Sequence, residues 1–172
     1  MSTLQQSLAS IDAAIAAYGA VALFFIVYFE AFGAPLPGES ALIGAALLAS
    51  RGDLAIEHVF LAAWFGAVLG DSTGYVIGRY GGRRLLQRYG ALVKLTPERL
   101  TRLEVMARDK GFFMVMIARF VVLLRQLNGL IAGSVGMPWL RFVSANALGA
   151  ALWAGLWSFG PYFFTDVFRR FV

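Results

Sequence analysis

The sequence predicts an all-α membrane protein built from inverted repeats, with two opposed re-entrant helical hairpins and additional transmembrane helices. Three observations lead there. Of the 172 residues 59 % are hydrophobic and 15 % charged, and the mean hydropathy is +0.70, which is too apolar for an ordinary soluble domain. Two long apolar runs, 54–77 and 139–164, each follow a shorter apolar segment interrupted by helix-breaking or charged residues. A basic stretch divides the two halves, and paired halves with discontinuous helices are the sequence pointer to an inverted-repeat transporter.

Residues 3–13 are mildly amphipathic and expected to start an interfacial helix. The run Ala14 to Ala34 is about long enough to span and carries Glu30. No basic segment precedes it and Asp12 is the first charge, so this span is expected to stay in the mature chain. Pro35-Leu36-Pro37-Gly38-Glu39 then breaks the helix. Residues 36–50, which end at Ser50-Arg51-Gly52-Asp53, are too few for a comfortable span and read as the first re-entrant region.

The segment 54–77 is a full span carrying Glu57, His58 and Asp71. Residues 78–111 form a basic, amphipathic region: Leu85, Leu86, Tyr89, Leu92 and Val93 suggest a surface helix, and Thr96-Pro97 the N-terminus of another over about 97–109. Residues 112–136 are apolar but contain Arg119, Arg125, Gln126 and Asn128, and read as the second re-entrant region. The last span, 139–164, has Trp139 and Trp157 suited to the two interfaces. A single crossing there would place Arg169 and Arg170 outside, unless a turn at Gly160-Pro161 returns the end to the interface or the second broken segment crosses fully.

Nine of the 15 Lys/Arg lie between Arg79 and Lys110, against Glu98, Glu104 and Asp109. The positive-inside trend makes this region, and with it the N-terminus, cytoplasmic; it is not read as a nucleic-acid patch. The chain has no cysteine and one histidine, His58. No metal set, Ser-His-Asp triad or glycosidase-type carboxylate pair stands out, so neither a cofactor nor covalent enzyme chemistry is expected.

The informative residues are the charges inside apolar segments: Glu30, Glu39, Asp71, Arg119 and Arg125. Isolated, each is expensive in a bilayer; brought together, they neutralise one another. Arginine keeps its proton, so Arg119 and Arg125 need counter-charges, water or an anionic substrate. On an unbroken helix they would point about 240° apart, so a break between them is required to bring both to one cavity. Guanidiniums bind phosphate oxygens through paired donors, and broken helix ends add further donors, which favours a phosphate-bearing substrate. Glu39 and Asp71 are the candidates for proton exchange, their behaviour set by burial against a nearby arginine. A static salt bridge is the competing explanation. Gln126 and Asn128 either bond substrate or satisfy carbonyls freed by the break. Glu30 and Glu57 are placed near an interface, and Arg79 snorkels or meets lipid headgroups. Gly70, Gly74 and Gly78 share a helical face that lets helices approach closely. Small-residue faces also permit a homo-oligomer.

At these motifs the sequence resembles the DedA family, also called the VTT or SNARE-associated membrane domain. The matching stretches are Phe29-Glu30 through Pro35-Leu36-Pro37-Gly38-Glu39, and Gly70-Asp71-Ser72-Thr73-Gly74-Tyr75-Val76-Ile77-Gly78-Arg79-Tyr80-Gly81-Gly82. They continue with Ala118-Arg119-Phe120, Leu124-Arg125, Ala132-Gly133 and Asn146. The likeness covers roughly residues 15–160 and implies that 1–172 is a single DedA-like domain in a bacterial inner membrane. It further implies flipping of undecaprenyl phosphate or a phospholipid linked to the proton-motive force. The family's key acids match Glu39 and Asp71, and its key arginines match Arg119 and Arg125. One departure is local: members usually carry Pro-Gly after the Arg-Phe, where this chain has Val121-Val122, so the second break is expected elsewhere, at Asn128-Gly129. The expected partners are therefore a phosphate-bearing lipid and protons. A proton-coupled small-ion or metabolite transporter and a non-transporting scaffold are the alternatives.

Overall fold

Runs of Ala, Leu, Phe and Gly without regular polar alternation form helices throughout the computed structural model, which describes residues 18–82, 105–106 and 109–171. The order is α1 (Tyr18–Ala31), α2 (Gly38–Arg51), α3 (Ile56–Ile77), α4 (Gly111–Ala118), α5 (Val122–Ser134) and α6 (Trp139–Phe171). The last turn of α3 widens into a π-helical turn over Gly78–Gly82. The expected helices at 3–13 and over 85–93 lie outside the described residues, as does that over about 97–109 apart from 105–106, which are helical, and 109.

Two helical stretches, Ile56–Gly82 and Trp139–Phe164, are long and apolar enough to cross a membrane, at 27 and 26 residues. At about 1.5 Å per residue each exceeds a hydrocarbon core roughly 30 Å thick. Helices α2, α4 and α5, at 14, 8 and 13 residues, do not reach that length. Large apolar side chains, among them Phe25, Phe65, Leu69, Ile117, Leu152 and Leu156, cover the outside. A soluble chain rarely exposes so much contiguous apolar surface, and a bilayer accommodates it.

Two chain breaks shape the bundle. The first, at 32–37, follows from backbone chemistry: Gly33 has φ 111°, Pro37 precedes α2, and Pro35 lies between them. The second falls at Arg119–Val121, where Val121 is extended at φ −111°, ψ 115°. This corrects the expected break at Asn128-Gly129, which lies inside α5. With neither Gly nor Pro at the break, the local push comes only from paired β-branched valines, a weak helix-disfavouring signal. Of the two alternatives for the C-terminal end, the turn at Gly160-Pro161 does not form: α6 runs through Pro161. Proline removes one ladder hydrogen bond there, and Tyr162 still packs on the core.

Glycines set the closest approaches. A Cβ on Gly70 would lie 2.3 Å from the Tyr28 carbonyl oxygen, and one on Gly78 2.2 Å from that of Leu130. From the opposite side, a Cβ on Gly129 would lie 2.0 Å from the Asp71 carbonyl oxygen, and one on Gly133 2.1 Å from that of Tyr75. Thus α3 lies against α1 and α5 backbone to backbone, the small-residue packing used between membrane helices. Gly133→Ala is therefore expected to destabilise by about 1–3 kcal/mol through overpacking, read as an earlier thermal unfolding transition in detergent. Gly44→Ala, where nothing lies within 4 Å, should be neutral or slightly stabilising, since alanine is the better helix former.

The apolar core has two parts. One joins Val27, Leu42, Val59, Ala67, Ala150 and Trp153; the other joins Tyr75, Val115, Ala132, Met137, Phe142 and Ala145. Along α3 the first part ends at Ala67 and the second begins at Tyr75, with Asp71 between them. Along α6 the second part ends at Ala145 and the first resumes at Ala150, with Asn146 between them. The junction of the two cores is therefore polar.

Candidate functional site

The polar junction gathers five charges from five helical segments and both chain breaks. Glu30 stands in the last turn of α1 and Glu39 in the first turn of α2, so the Pro/Gly break folds two carboxylates towards one another. Arg119 caps the C-terminus of α4 and Arg125 stands at the start of α5. A break between the arginines is what the sequence requires for both to reach one site, and the structure has it. A cation suits the negative end of α4, whereas at the positive end of α5 it needs counter-charge.

Arg125 finds that counter-charge in both acids of the first break. Its Nη1 donates to Glu39 Oε2 and its Nη2 to Glu30 Oε1, each at 2.9 Å. Arg119, 1 % exposed, donates through Nη2 to Asp71 Oδ2 and Asn146 Oδ1. Asn146 Nδ2 in turn donates to the Val68 carbonyl at 3.2 Å, which fixes the amide's orientation. The two pairs form one electrostatic unit, because Arg125 acts on both Asp71 and Arg119. The Arg125 guanidinium also lies 4.9 Å from the ring centre of Trp153, a cation–π contact inside an apolar wall.

The cluster has two further properties. Three carboxylates meet two guanidiniums, so one formal negative charge is uncancelled when all are ionised. In addition Asp71 Oδ1, Arg119 Nε and Arg125 Nε are buried without a hydrogen-bond partner, which leaves capacity for further polar contacts. Access is asymmetric. Asp71 and Arg119 are sealed, Glu30 is 5 % exposed at its side chain, and Glu39 is 33 % exposed.

The other expected residues divide. Glu30, expected near an interface, is buried in the cluster and pairs directly with Arg125. Gln126 is half-buried, and its carbonyl faces Gly33 across the two breaks. Asn128 is buried, and its Nδ2 donates to the Val115 carbonyl at 3.2 Å, tying α5 to α4. Arg79 is exposed and lies over the α5–α6 turn beside Gly136, away from the cluster. Glu57 and His58 are exposed at the start of α3. Among the described residues no group of three or more His, Asp or Glu could hold a metal ion. Trp153 was not anticipated. Its signal was present in the spacing, since it lies two helical turns beyond Asn146 and so on the same face.

Gly38 shows how tightly the first break is built. A Cβ there would lie 2.2 Å from Glu30 Oε2. Gly38→Ala is expected to push Glu30 off Arg125 and to cost about 1–3 kcal/mol of stability, measured by thermal unfolding in detergent.

Comparison with known proteins shows the family. The VTT domain profile matches residues 36–163. An uncharacterized membrane protein of Synechocystis sp. (strain ATCC 27184 / PCC 6803 / Kazusa) is 42 % identical over 139 residues, covering 81 % of this chain and 64 % of the relative. An uncharacterized membrane protein of Mycobacterium bovis is 40 % identical over 134 residues, covering 76 % of this chain and 62 % of the relative. The chain thus spans less than two thirds of the length of these two relatives. Protein DedA of Escherichia coli (strain K12) is 30 % identical over 161 residues, covering 89 % of this chain and 73 % of that protein. No solved structure matches the chain.

Proposed function

The chain belongs to the VTT domain family, the family of DedA, and from that membership we propose that this multi-pass membrane protein is a proton-linked translocase of a phosphate-bearing lipid, such as undecaprenyl phosphate or a phospholipid, in a bacterial inner membrane. The family link is to membrane transport in the broad sense; substrate and coupling are our reading. The observation that carries it is the Arg125 fork, held on both arms by carboxylates of which one, Glu39, reaches the surface.

In the proposed cycle a proton reaches Glu39 first, because it is the exposed member. Neutral Glu39 no longer holds Arg125 by charge, and the freed Nη1–H donates to a phosphate oxygen in its place. Charge-assisted donors are roughly twice as strong as neutral ones and suit phosphate in pairs. Arg119 is the second phosphate donor, and its partner Asp71, sealed from solvent, exchanges a proton only by way of Glu39. Glu30 keeps Arg125 positioned while Glu39 lets go. Residues 36–50, with α2, and residues 112–136, with α4 and α5, act as the opposed re-entrant regions, with the N-terminus and residues 78–111 on the cytoplasmic side. The lipid's chains stay in the bilayer, so only the headgroup needs the polar junction, which limits the desolvation the protein must offset. Gln126 and Asn128 flank the second break and help to shape the headgroup site.

The static-scaffold alternative has one observation on its side, that both arginines are already paired. A transport assay separates the alternatives. Proteoliposomes should move a labelled phosphate lipid between leaflets and take up no inorganic phosphate. Phosphate uptake without lipid movement would favour the small-ion alternative, and neither activity from folded protein would favour the scaffold.

A further inference from the structure

Beside the second break lies an apolar cavity of about 340 Å³ between α4 and α5. That is at the lower end of the range for ligand-sized pockets, about 300–1,000 Å³. Its walls include Met114, Ile117, Ala118, Leu124, Asn128 and Ile131. Of these, Met114, Ile117, Leu124 and Ile131 are between 44 % and 66 % exposed, so the mouth opens on the outer apolar surface. Helix α4 packs mainly on α6 rather than on α5, which leaves the cavity between the two arms open.

We propose that this cavity holds one hydrocarbon chain of a membrane lipid, the chain of the same lipid whose phosphate replaces Glu39 on Arg125. The occupant follows from medium and position. In a multi-pass membrane protein, what reaches a mouth ringed by Met, Ile and Leu is the hydrocarbon of the bilayer. Water there would face apolar walls with Asn128 as the polar exception, and the Asn128 Nδ2 donor is already committed to Val115. Position ties the chain to the headgroup. Ala118 and Leu124 line the cavity and immediately precede Arg119 and Arg125, so a chain seated here brings its polar end to the arginines. The positive end of α5 and its arginine then meet an anionic group. The cavity would thus position the lipid and select for chain shape, a role separate from headgroup charge. This inference rests on the lipid-translocase reading for the headgroup but not for the chain.

The test is photolabelling of purified protein in phosphate-free dodecyl maltoside micelles. One probe is phosphatidylethanolamine with a diazirine in its acyl chain, and the other is diacylglycerol with the same chain. Labelled residues are mapped by mass spectrometry. The expected result is labelling concentrated on 111–118 and 124–137, stronger by about tenfold for the phosphate-bearing probe, the factor that one charge-assisted hydrogen bond gives. Ile131→Trp and Met114→Trp, which enlarge half-exposed residues at the mouth, should each cut that labelling by about tenfold or more, since displacing two methylenes already gives this factor. Labelling spread evenly over the outer surface in wild type, or unchanged by both tryptophans, would overturn the cavity assignment while leaving the translocase reading standing. Equal labelling by both probes, still lost in the tryptophan variants, would support the cavity as a chain site and count against the headgroup reading.

Discussion

Arg125→Ala should abolish lipid translocation and also destabilise the protein by about 3–5 kcal/mol, because it strands the buried Glu30 carboxylate and the partly exposed Glu39. Arg125 is the link between the two chain breaks, bonded at 2.9 Å to Glu30 and at 2.9 Å to Glu39, and a guanidinium fork is what lets one side chain hold both. The informative companion is Arg125→Lys. Lysine keeps the charge but loses the planar pair of donors. It should leave a folded protein with a single peak in size-exclusion chromatography and reduce translocation by about tenfold or more, the loss of one charge-assisted hydrogen bond. A lysine variant with wild-type translocation would mean that the fork geometry is not used for the headgroup. A lysine variant that fails to fold would instead mark Arg125 as a structural clamp.

Glu39→Gln should have the second largest effect, on coupling rather than on stability. Protonation of Glu39 removes one of the two negative partners of Arg125, so wild-type headgroup entry should quicken as the water facing Glu39 is acidified. Glutamine is neutral at every pH, keeps the shape, and leaves the Arg125–Glu30 pair intact. Translocation in this variant should persist and lose its dependence on pH and on an imposed gradient. The stability change should be small, about 1 kcal/mol, because the side chain is partly exposed and still offers a hydrogen-bonding oxygen. Asp71→Asn makes the contrast. Asp71 is sealed against Arg119, so neutralising it leaves a buried guanidinium short of charge, and a loss of folding on the scale of about 3–5 kcal/mol is expected. Similar pH responses in both variants would contradict the division of roles between the exposed and the sealed acid.

Much of this architecture was legible in the sequence because lipid imposes simple rules. The spans around Asp71 and Asn146 follow from length and hydropathy. The Pro35-Leu36-Pro37-Gly38 break follows from backbone chemistry, and the close face at Gly70, Gly74 and Gly78 from helical spacing. Arg119 and Arg125 could be placed in one site only by postulating a break between them, and the structure has it at Arg119–Val121. The position of that break was not legible. Two valines are a weak signal beside Asn128-Gly129, and Gly129 proves to serve packing, its absent Cβ making room for the Asp71 carbonyl. Glu30 was misplaced because hydropathy near the end of an apolar run does not distinguish an interfacial acid from one turned inward; its pairing with Arg125 depends on how the first break folds. The continuation of α6 through Pro161 was hidden for the opposite reason: a local breaker is outweighed by packing, with Tyr162 held on the core.

In this mechanism a phosphate headgroup replaces Glu39 on Arg125 when Glu39 is protonated. The measurement that decides it follows the headgroup of undecaprenyl phosphate across proteoliposome membranes, with undecaprenol as the phosphate-free control, with and without an imposed pH gradient. Protein-dependent movement of the phosphate lipid is expected, accelerated by the gradient, with the acceleration absent in Glu39→Gln and the movement absent in Arg125→Ala. Equal protein-dependent movement of phosphate lipid and alcohol, or gradient acceleration that survives Glu39→Gln, would contradict it.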